Sequence, residues 1–333
     1  MELTSRGNVQ IRAITAATAA VAEAVAAAGL LPSATHERVR NIVASPLSGR
    51  AGDHPDIRGW VDDLDLEIQN QPGLAALPGR FWFGIDDGRG DVSGMAADVG
   101  LQVLDDGDHH DPGDQGDRGH GVALLLAGRD TGVRLRPSHA VPTLAAVAAR
   151  FVDSPETTWR VSELADCAAL LDGLTVSEEP GATWPPVTRP PVGWIEQNDG
   201  RITLGAAVPL GVLAVPVAEY LATIGAPMVI TPWRSVLVCD LAEHEAEAAL
   251  QVLAPMGLVF DENSPWLDVS ACTGSPGCAH AAANVRADAA AALHATSGVH
   301  RHFVGCERAC GSPLAGEVLM ATGDGYRQLR FVG

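Results

Sequence analysis

The sequence predicts an α+β fold made of two related halves, each a βαβ-type half-unit followed by a larger mixed α/β segment. The first observation behind this prediction is an internal repeat at a constant offset of 227 residues. The second is that a short apolar strand precedes an Ala-rich helix in both copies. The third is composition, because 47% apolar and 19% charged residues are typical of a folded globular chain.

The repeat is clearest around two short strands. Val9 aligns with Val236, and residues 41–45 align with 268–272 without a gap. An Ala-rich helix is predicted after the first strand of each copy, over 16–28 and 242–253. A register held at both ends of a block of about forty residues indicates a duplication. The alternative is two generic strand–helix units in an Ala-rich chain.

The two copies are not equal in length. The second copy has a predicted hairpin over 192–204 and a helix over 210–225 before its Thr231 strand. The first copy has no counterpart, because Thr4 stands almost at the start of the chain. The repeat therefore predicts that about forty residues are missing at the N-terminus.

The region between the copies alternates strands and helices. Strands are predicted over 77–86, 96–104 and 121–126, and a helix over 141–151. The Gly/Asp-rich segment 105–120 contains His109 and His110, and such composition indicates a solvated hairpin tip rather than a metal site. The Pro-rich stretch 180–191 is typical of a linker.

The charge of the chain disfavours several function classes. It has 22 basic residues, all of them Arg, against 41 Asp and Glu, a net charge of −19. A sequence-independent nucleic-acid binder needs a positive surface to neutralise phosphates. No apolar run is long enough to span a membrane, and the start of the chain lacks the pattern of a signal peptide. We expect a cytoplasmic protein with neither a nucleic-acid nor a membrane partner.

Four of the six cysteines fall into two tight pairs with the spacing C-x5-C, 27 residues, C-x3-C. The pairs are Cys272 with Cys278 and Cys306 with Cys310. Four thiolates on two Gly-containing loops can ligate a cubane cluster or zinc. Zinc sites usually use other spacings, so the pattern favours an iron–sulfur cluster. Cys167 and Cys239 stand alone in apolar surroundings and are interpreted as core thiols.

The cysteine spacing, the Thr-x-Arg-x-Asn pattern at 4–8 and the duplication together resemble the sulfite/nitrite reductase family, which binds a [4Fe–4S] cluster beside a tetrapyrrole. Residues 272–289, 77–88 and 321–326 resemble more narrowly its precorrin-3B synthase branch. The resemblance covers nearly all of the chain. It implies a duplicated reductase-like architecture with pseudo-twofold ferredoxin-like half-domains and mixed α/β cluster-binding domains.

The resemblance also implies a domain division. Residues 1–34 would be a first, truncated ferredoxin-like half and 192–260 the second. Residues 35–185 would be a reductase-type α/β domain without cluster cysteines, and 261–333 the [4Fe–4S] domain.

The activity implied by the resemblance is oxygen-dependent hydroxylation of precorrin-3A with lactone formation, a monooxygenase-type step in cobalamin biosynthesis. The cluster would relay electrons from a donor such as ferredoxin or an NADH-linked reductase. A mononuclear non-haem iron or sirohaem is left open as a further cofactor. The alternatives are a sirohaem-dependent sulfite or nitrite reductase and a truncated, non-catalytic protein that binds a tetrapyrrole or a cluster.

A tetrapyrrole of this pathway carries many carboxylates, and Arg is the side chain that matches a carboxylate with two parallel donors. The resemblance assigns tetrapyrrole binding to Arg6, Asn8, Arg40 and Arg80. Arg12 and Arg234 are further candidates.

The chain departs from the family pattern in ways that bear on function. The strand matching 77–83 carries two lysines in sulfite reductases, and this chain has Arg80 and Trp82 there, which weakens the sulfite- or nitrite-reducing alternative. Ser45 aligns with Cys272, so only the second copy keeps cluster ligands.

Three histidines flank the cysteine loops, at His280, His300 and His302. The resemblance allows them as ligands of a mononuclear iron, but their spacing does not single them out. The alternative is that they support the loops or lie at the surface.

Overall fold

The computed structural model describes the chain except residues 13, 15, 17, 32, 105–120, 155, 157, 294–297 and 333. The chain forms two compact units, one of Met1–Ala13 with Thr188–Gly333 and the other of Ile14–Val187. The segment with His109 and His110 lies outside the described residues. The four-part domain division stays a prediction.

The described strands are β1 (Glu2–Leu3), β2 (Val9–Gln10), β3 (Ile42–Ala44), β4 (Phe83–Asp86), β5 (Val99–Val103), β6 (Val122–Leu126), β7 (Arg129–Leu135), β8 (Gly193–Glu196), β9 (Ile202–Ala207), β10 (Met228–Ile230), β11 (Ser235–Leu241), β12 (Val269–Ala271), β13 (Arg301–Val304), β14 (Gly316–Ala321) and β15 (Tyr326–Val332). The described α-helices are α1 (Thr18–Ala27), α2 (Arg58–Asn70), α3 (Pro137–Val152), α4 (Val215–Ile224), α5 (Glu243–Leu253) and α6 (Val285–Ala291). None of these helices is long and apolar enough to cross a membrane.

The unit Ile14–Val187 contains a five-stranded sheet in the order β3-β4-β5-β6-β7. The first three strands run parallel and the last two antiparallel. Helices α2 and α3 pack against each other and the sheet. The core is aromatic, because the ring of Phe81 lies 5.2 Å from that of Phe83 and 5.0 Å from that of Phe151.

The other unit contains two four-stranded sheets and the small β1–β2 ladder. One sheet, in the order β10-β11-β9-β8, is antiparallel, and its core with α4 and α5 includes Leu204, Val236 and Leu253. The second has the order β12-β13-β14-β15, with the first three strands parallel. Helix α6 packs on β12 and β13 through Val285 and Ala289.

Strand pairing confirms the repeat. Leu3 pairs with Val9 across β1 and β2, and the residues 227 positions later, Ile230 and Val236, pair in the same way across β10 and β11. At the same offset β3 corresponds to β12, and each pairs in parallel with the following strand of its own sheet, β4 or β13. The fold is therefore α+β with two related halves, as the sequence predicts.

The strand predicted over 77–86 is shorter in the structure and begins at Phe83. The preceding residues turn, because the Phe81 N–H donates to the Pro78 carbonyl at 2.8 Å. The Trp82 N–H donates at 3.0 Å to the buried Asp98 carboxylate instead of a strand neighbour. Side-chain capture of backbone groups is a tertiary effect that the apolar run does not reveal.

Candidate iron–sulfur site

The four paired cysteines follow two neighbouring parallel strands. Cys272 comes directly after β12, and Cys306 comes two residues after β13. Carboxyl ends of parallel strands meet at one edge of a sheet, where ligands of such sheets commonly bind. The loops 272–278 and 306–310 therefore start side by side.

The other three paired cysteines lie close enough to Cys310 to influence its pKa. Loss of solvation raises the pKa of Cys310, and the other three paired cysteines, Cys272, Cys306 and Cys278, raise it further because neighbouring thiolates repel. Bound iron would relieve this repulsion, since metal ligation replaces thiol protons by positive charge. The structure thus brings together the four predicted ligands, whose role stays a prediction.

Ser45 occupies in the first copy the place that Cys272 has in the second. Cys272 Sγ accepts a hydrogen bond of 3.3 Å from the Gly305 N–H. Ser45 Oγ accepts one of 3.1 Å from the Asp87 N–H, which follows the equivalent strand. Backbone N–H groups that point at a ligand sulfur are typical of iron–sulfur sites, where they stabilise the thiolate.

Two glycines allow the cysteine loops to pack closely. A Cβ at Gly305 would lie 2.5 Å from the Cβ of Ala281, so this position has no room for a side chain. Gly274 has φ +67°, and a Cβ there would lie 2.7 Å from Cγ2 of Val285. The backbone of both loops therefore depends on glycine.

The chemistry of the donor set fits an iron–sulfur cluster, because such clusters are held by four Cys thiolates. Within the residues that the structure describes, no group of three or more His, Cys, Asp and Glu side chains is arranged to hold a single metal ion.

A hydrogen-bonded chain of side chains supports the second loop. Ser270 Oγ lies 2.8 Å from Nε2 of His300 and 2.7 Å from Nδ1 of His302. The outer nitrogens contact backbone carbonyls, Nδ1 of His300 that of Leu267 at 3.1 Å and Nε2 of His302 that of Cys310 at 3.0 Å. Burial lowers the pKa of both histidines. Because both ring nitrogens of each histidine are engaged, neither His300 nor His302 is placed to bind iron. The third histidine, His280, is exposed.

Glu2 ties the N-terminal strand to the first cysteine loop. Its carboxylate accepts a hydrogen bond of 3.1 Å from the Thr273 hydroxyl and forms ion pairs with Arg286 at 3.0 Å and Arg12 at 2.8 Å. Burial raises the pKa of Glu2, but the two guanidinium groups and the hydroxyl lower it by more, so the net shift is downward.

Tyr326 lies close to the same loop. Its ring packs edge-on against Phe303 with centroids 5.2 Å apart, and its hydroxyl donates to Asp288 at 2.5 Å. Burial raises the pKa of Tyr326 most, and the Asp288 carboxylate and Cys272 raise it further. The tyrosine is therefore held as a neutral hydrogen-bond donor.

Arg6 and Asn8 lie in the turn between β1 and β2. Their backbone N–H groups donate to Thr4 Oγ1 at 3.3 and 3.1 Å, which shapes the turn. Asn8 is exposed and Arg6 partly exposed. Arg12, the neighbouring candidate, is engaged by Glu2.

Arg40 and Arg80 lie in the unit Ile14–Val187, each with a protein partner. Arg40 donates to both carboxylate oxygens of Asp65, at 2.5 and 2.8 Å. Arg80 stacks over the ring of Trp159 at 5.7 Å. A substrate carboxylate at Arg40 would therefore share or displace Asp65.

The remaining cysteines are core thiols, as interpreted from the sequence. Cys239 is fully buried in β11. Cys167 is partly buried with its thiol directed at the Val161 carbonyl at 3.8 Å, and burial raises its pKa.

Known proteins resemble this chain in sequence and in fold. No family model matches the sequence. A curated precorrin-3B synthase from Sinorhizobium sp is 26% identical over 353 aligned positions, which cover 98% of this chain and 72% of that protein. The chain is similar to precorrin-3B synthase. The relative spans both units and both cysteine loops, so the similarity is not confined to one motif.

Among solved structures, the NirA protein of Mycobacterium tuberculosis is similar to this chain with a TM-score of 0.66 and 17% sequence identity. The match covers 87% of this chain, which spans 63% of the length of NirA. The similarity confirms the predicted fold and is in line with the similarity to precorrin-3B synthase.

Several residues around the cysteines were missed from the sequence. Glu2 and Ser270 belong to no motif, and their partners lie far away in the chain. Arg286 and Asp288 lie within the 272–289 stretch, but their partners Glu2 and Tyr326 lie outside it. The one available signal was the repeat, which aligns Ser270 with Val43 and so marks a polar residue inside a strand.

Proposed function

We propose that this chain is an iron–sulfur oxidoreductase that acts on a tetrapyrrole, with precorrin-3A hydroxylation and lactone formation as its reaction. Both comparisons support a tetrapyrrole-associated oxidoreductase. The observation that carries the proposal is the convergence of Cys272, Cys278, Cys306 and Cys310 at one sheet edge in a fold of this type.

The cluster, when bound, supplies single-electron transfer. The chain's own residues would hold it through four thiolates and stabilise Cys272 through the Gly305 N–H. The hydroxylation takes one oxygen atom of O2 into the substrate. The second leaves as water, with two electrons and two protons from a donor and solvent.

The tetrapyrrole carboxylates are assigned to Arg6, Arg40 and Arg80, with Asn8 adding a hydrogen bond. A planar guanidinium binds a carboxylate with two parallel hydrogen bonds, which fixes orientation as well as charge. The electron donor is a ferredoxin or an NADH-linked reductase. A mononuclear iron would need ligands other than His300 and His302, whose ring nitrogens are engaged.

The cluster is tested by anaerobic purification with iron and sulfide analysis, visible absorption and electron paramagnetic resonance. We expect about four irons and four sulfides per chain. Cys278→Ser should lose them, whereas Cys167→Ser, a cysteine outside the site, should retain them. Full iron and sulfide in Cys278→Ser would contradict the proposed ligand set.

The reaction is tested with precorrin-3A, oxygen and a chemical or protein reductant. A product heavier by one oxygen atom, labelled from ¹⁸O2, supports the hydroxylase. Intense haem bands with turnover of sulfite or nitrite would instead support the reductase alternative. Binding of tetrapyrrole and cluster without turnover would support the non-catalytic alternative.

A further inference from the structure

Arg234 stands where the first copy of the repeat has a glycine. The turn between β1 and β2 is closed by the Thr4 N–H donating to the Asn8 carbonyl at 2.9 Å. The turn between β10 and β11 is closed in the same way by Thr231 and Ser235, at 3.0 Å. The residue before each closing position is left-handed, with φ +67° in the first copy and +57° in the second.

A left-handed backbone suits glycine and is strained for a residue with a β-carbon. The first copy places Gly7 there, and the second keeps Arg234. Because glycine would fit this turn without strain, the arginine side chain must be retained for what it contacts.

The Arg234 side chain occupies a fitted slot beside the cysteines. Its Nη2 donates to the Gly311 carbonyl at 2.9 Å, one residue after Cys310. A Cβ on Gly311 would lie 2.5 Å from that nitrogen, and a Cβ on Gly211 would lie 2.9 Å from Cδ of the arginine. Two glycines therefore make room for this one side chain.

The groups that act on the charge of this guanidinium are Arg286 and Cys272. The neighbouring Arg286 is paired with Glu2. Among the described residues, no carboxylate forms an ion pair with Arg234. Burial lowers its pKa to about 10, with Arg286 adding to the shift and Cys272 opposing it, so the group is still a cation at neutral pH.

The arginine and the cysteines occur in the same copy. The copy with Arg234 has Cys272 at the end of its parallel strand, and the copy with Gly7 has Ser45 at the equivalent place. Within the described part of the chain this partly buried cation has no carboxylate partner, and it contacts the residue after Cys310 and lies near Cys272. Such a cation matches a ligand of negative charge.

We propose that Arg234 is the counter-charge of the iron–sulfur cluster and raises its reduction potential. This inference rests on the proposed cluster. A cubane with four thiolates carries a charge of −2 when oxidised and −3 after accepting one electron, so a nearby cation stabilises the reduced form more. Arg234 is therefore a positioning and electrostatic residue and not a ligand.

The test uses Arg234→Gly, the residue that the first copy has at this turn, and Arg234→Lys, which keeps the charge. Arg201→Gly is the matched control, because Arg201 is an exposed arginine on the β8–β9 hairpin. Full-length proteins are purified anaerobically, assayed for iron and sulfide, and titrated with dithionite while the reduced cluster is measured by electron paramagnetic resonance.

We expect Arg234→Gly to retain the cluster but to hold about tenfold less reduced cluster at a given potential, a downward shift of about 59 mV for a one-electron couple. Arg234→Lys should recover most of the shift, and Arg201→Gly should match the wild type. An unchanged potential in Arg234→Gly would overturn the inference while leaving the proposed function intact.

A second measurement separates electrostatics from structure. In the cluster-free proteins, Arg234→Gly should melt at the same temperature as the wild type or higher, because glycine relieves the strained turn. A lower melting temperature in the cluster-free variant would indicate a merely structural role. Weaker tetrapyrrole binding with an unchanged potential would make Arg234 a substrate ligand, and wild-type protein without iron would overturn both proposals.

Discussion

The Ser45 hydroxyl donates a hydrogen bond of 2.6 Å to Oδ1 of Asp91. Ser45 has the place of Cys272, a proposed cluster ligand, so in the first copy a carboxyl group contacts the atom that corresponds to the Cys272 thiol. Burial raises the pKa of Asp91 to about 7. The nearby Asp86 carboxylate contributes to this rise, and the hydrogen bond from Ser45 opposes it. Asp91 is therefore partly protonated in the folded protein near neutral pH.

The raised pKa of Asp91 predicts a pH dependence of stability. Between about pH 4 and pH 7 the folded protein binds a proton that the unfolded chain has released, so this contribution is full at low pH and is lost as pH rises through about 7. Asp91→Asn should remove roughly 2 kcal/mol of the change in unfolding free energy between pH 5 and pH 8. Urea unfolding at both values measures it. Asp53→Asn, which changes an exposed carboxylate, serves as the control. An equal change in unfolding free energy between pH 5 and pH 8 in the two variants would contradict the account.

Glu2→Gln should destabilise the unit that holds the cysteines. The change removes the charge that pairs with Arg286 and Arg12 and weakens the hydrogen bond from Thr273. We expect a loss of about 1–3 kcal/mol in urea unfolding, the scale of a charged hydrogen bond in a partly buried site. Glu307→Gln is the control because this carboxylate is 86% exposed. Equal effects of both variants would contradict the prediction.

Gly305→Ala should damage the cysteine loops. The added methyl group would lie 2.5 Å from the Cβ of Ala281 and displace the N–H that donates to Cys272. We expect about 1–3 kcal/mol lower stability of the cluster-free protein and a lower iron content after reconstitution. Gly323→Ala, where a Cβ meets nothing within 4 Å, should be close to wild type in both measurements. Wild-type iron content in Gly305→Ala would show that the N–H contact is dispensable.

Arg6→Ala, Arg40→Ala and Arg80→Ala should each weaken binding of a polycarboxylate tetrapyrrole by about 1.5–3 kcal/mol, the scale of a charge-assisted hydrogen bond. Fluorescence titration with uroporphyrin as the probe measures this affinity. Arg58→Ala, which removes an exposed guanidinium paired with Asp56, is the control.

Arg40 needs a further control because it is already paired with Asp65. Asp65→Asn should leave affinity intact or improve it by freeing the guanidinium. If it weakens binding as much as Arg40→Ala does, the arginine acts through structure. Unchanged affinity in all three alanine variants would show that the tetrapyrrole binds elsewhere.

Much of the fold was predictable because its signals are local. Strand–helix alternation and the repeat are written in short runs of residues, and β3, β12, α1 and α5 fall within the predicted segments or within two residues of them. The strand over 77–86 was predicted too long because the contacts that end it are not local. Its apolar residues are buried, but the chain there turns toward Pro78 and Asp98, partners that an apolar run does not specify.

The sequence by itself determined the two related halves and the four paired cysteines, because spacing and periodicity are carried by neighbouring residues. Only the tertiary structure decided what surrounds those cysteines. Glu2 meets Arg286 from the other end of the chain, and Ser270 joins His300 and His302. An arginine in a strained turn contacts the Gly311 carbonyl next to Cys310. These contacts depend on how distant segments pack, since a charged or polar side chain accepts any partner of suitable geometry and its local sequence does not say which one.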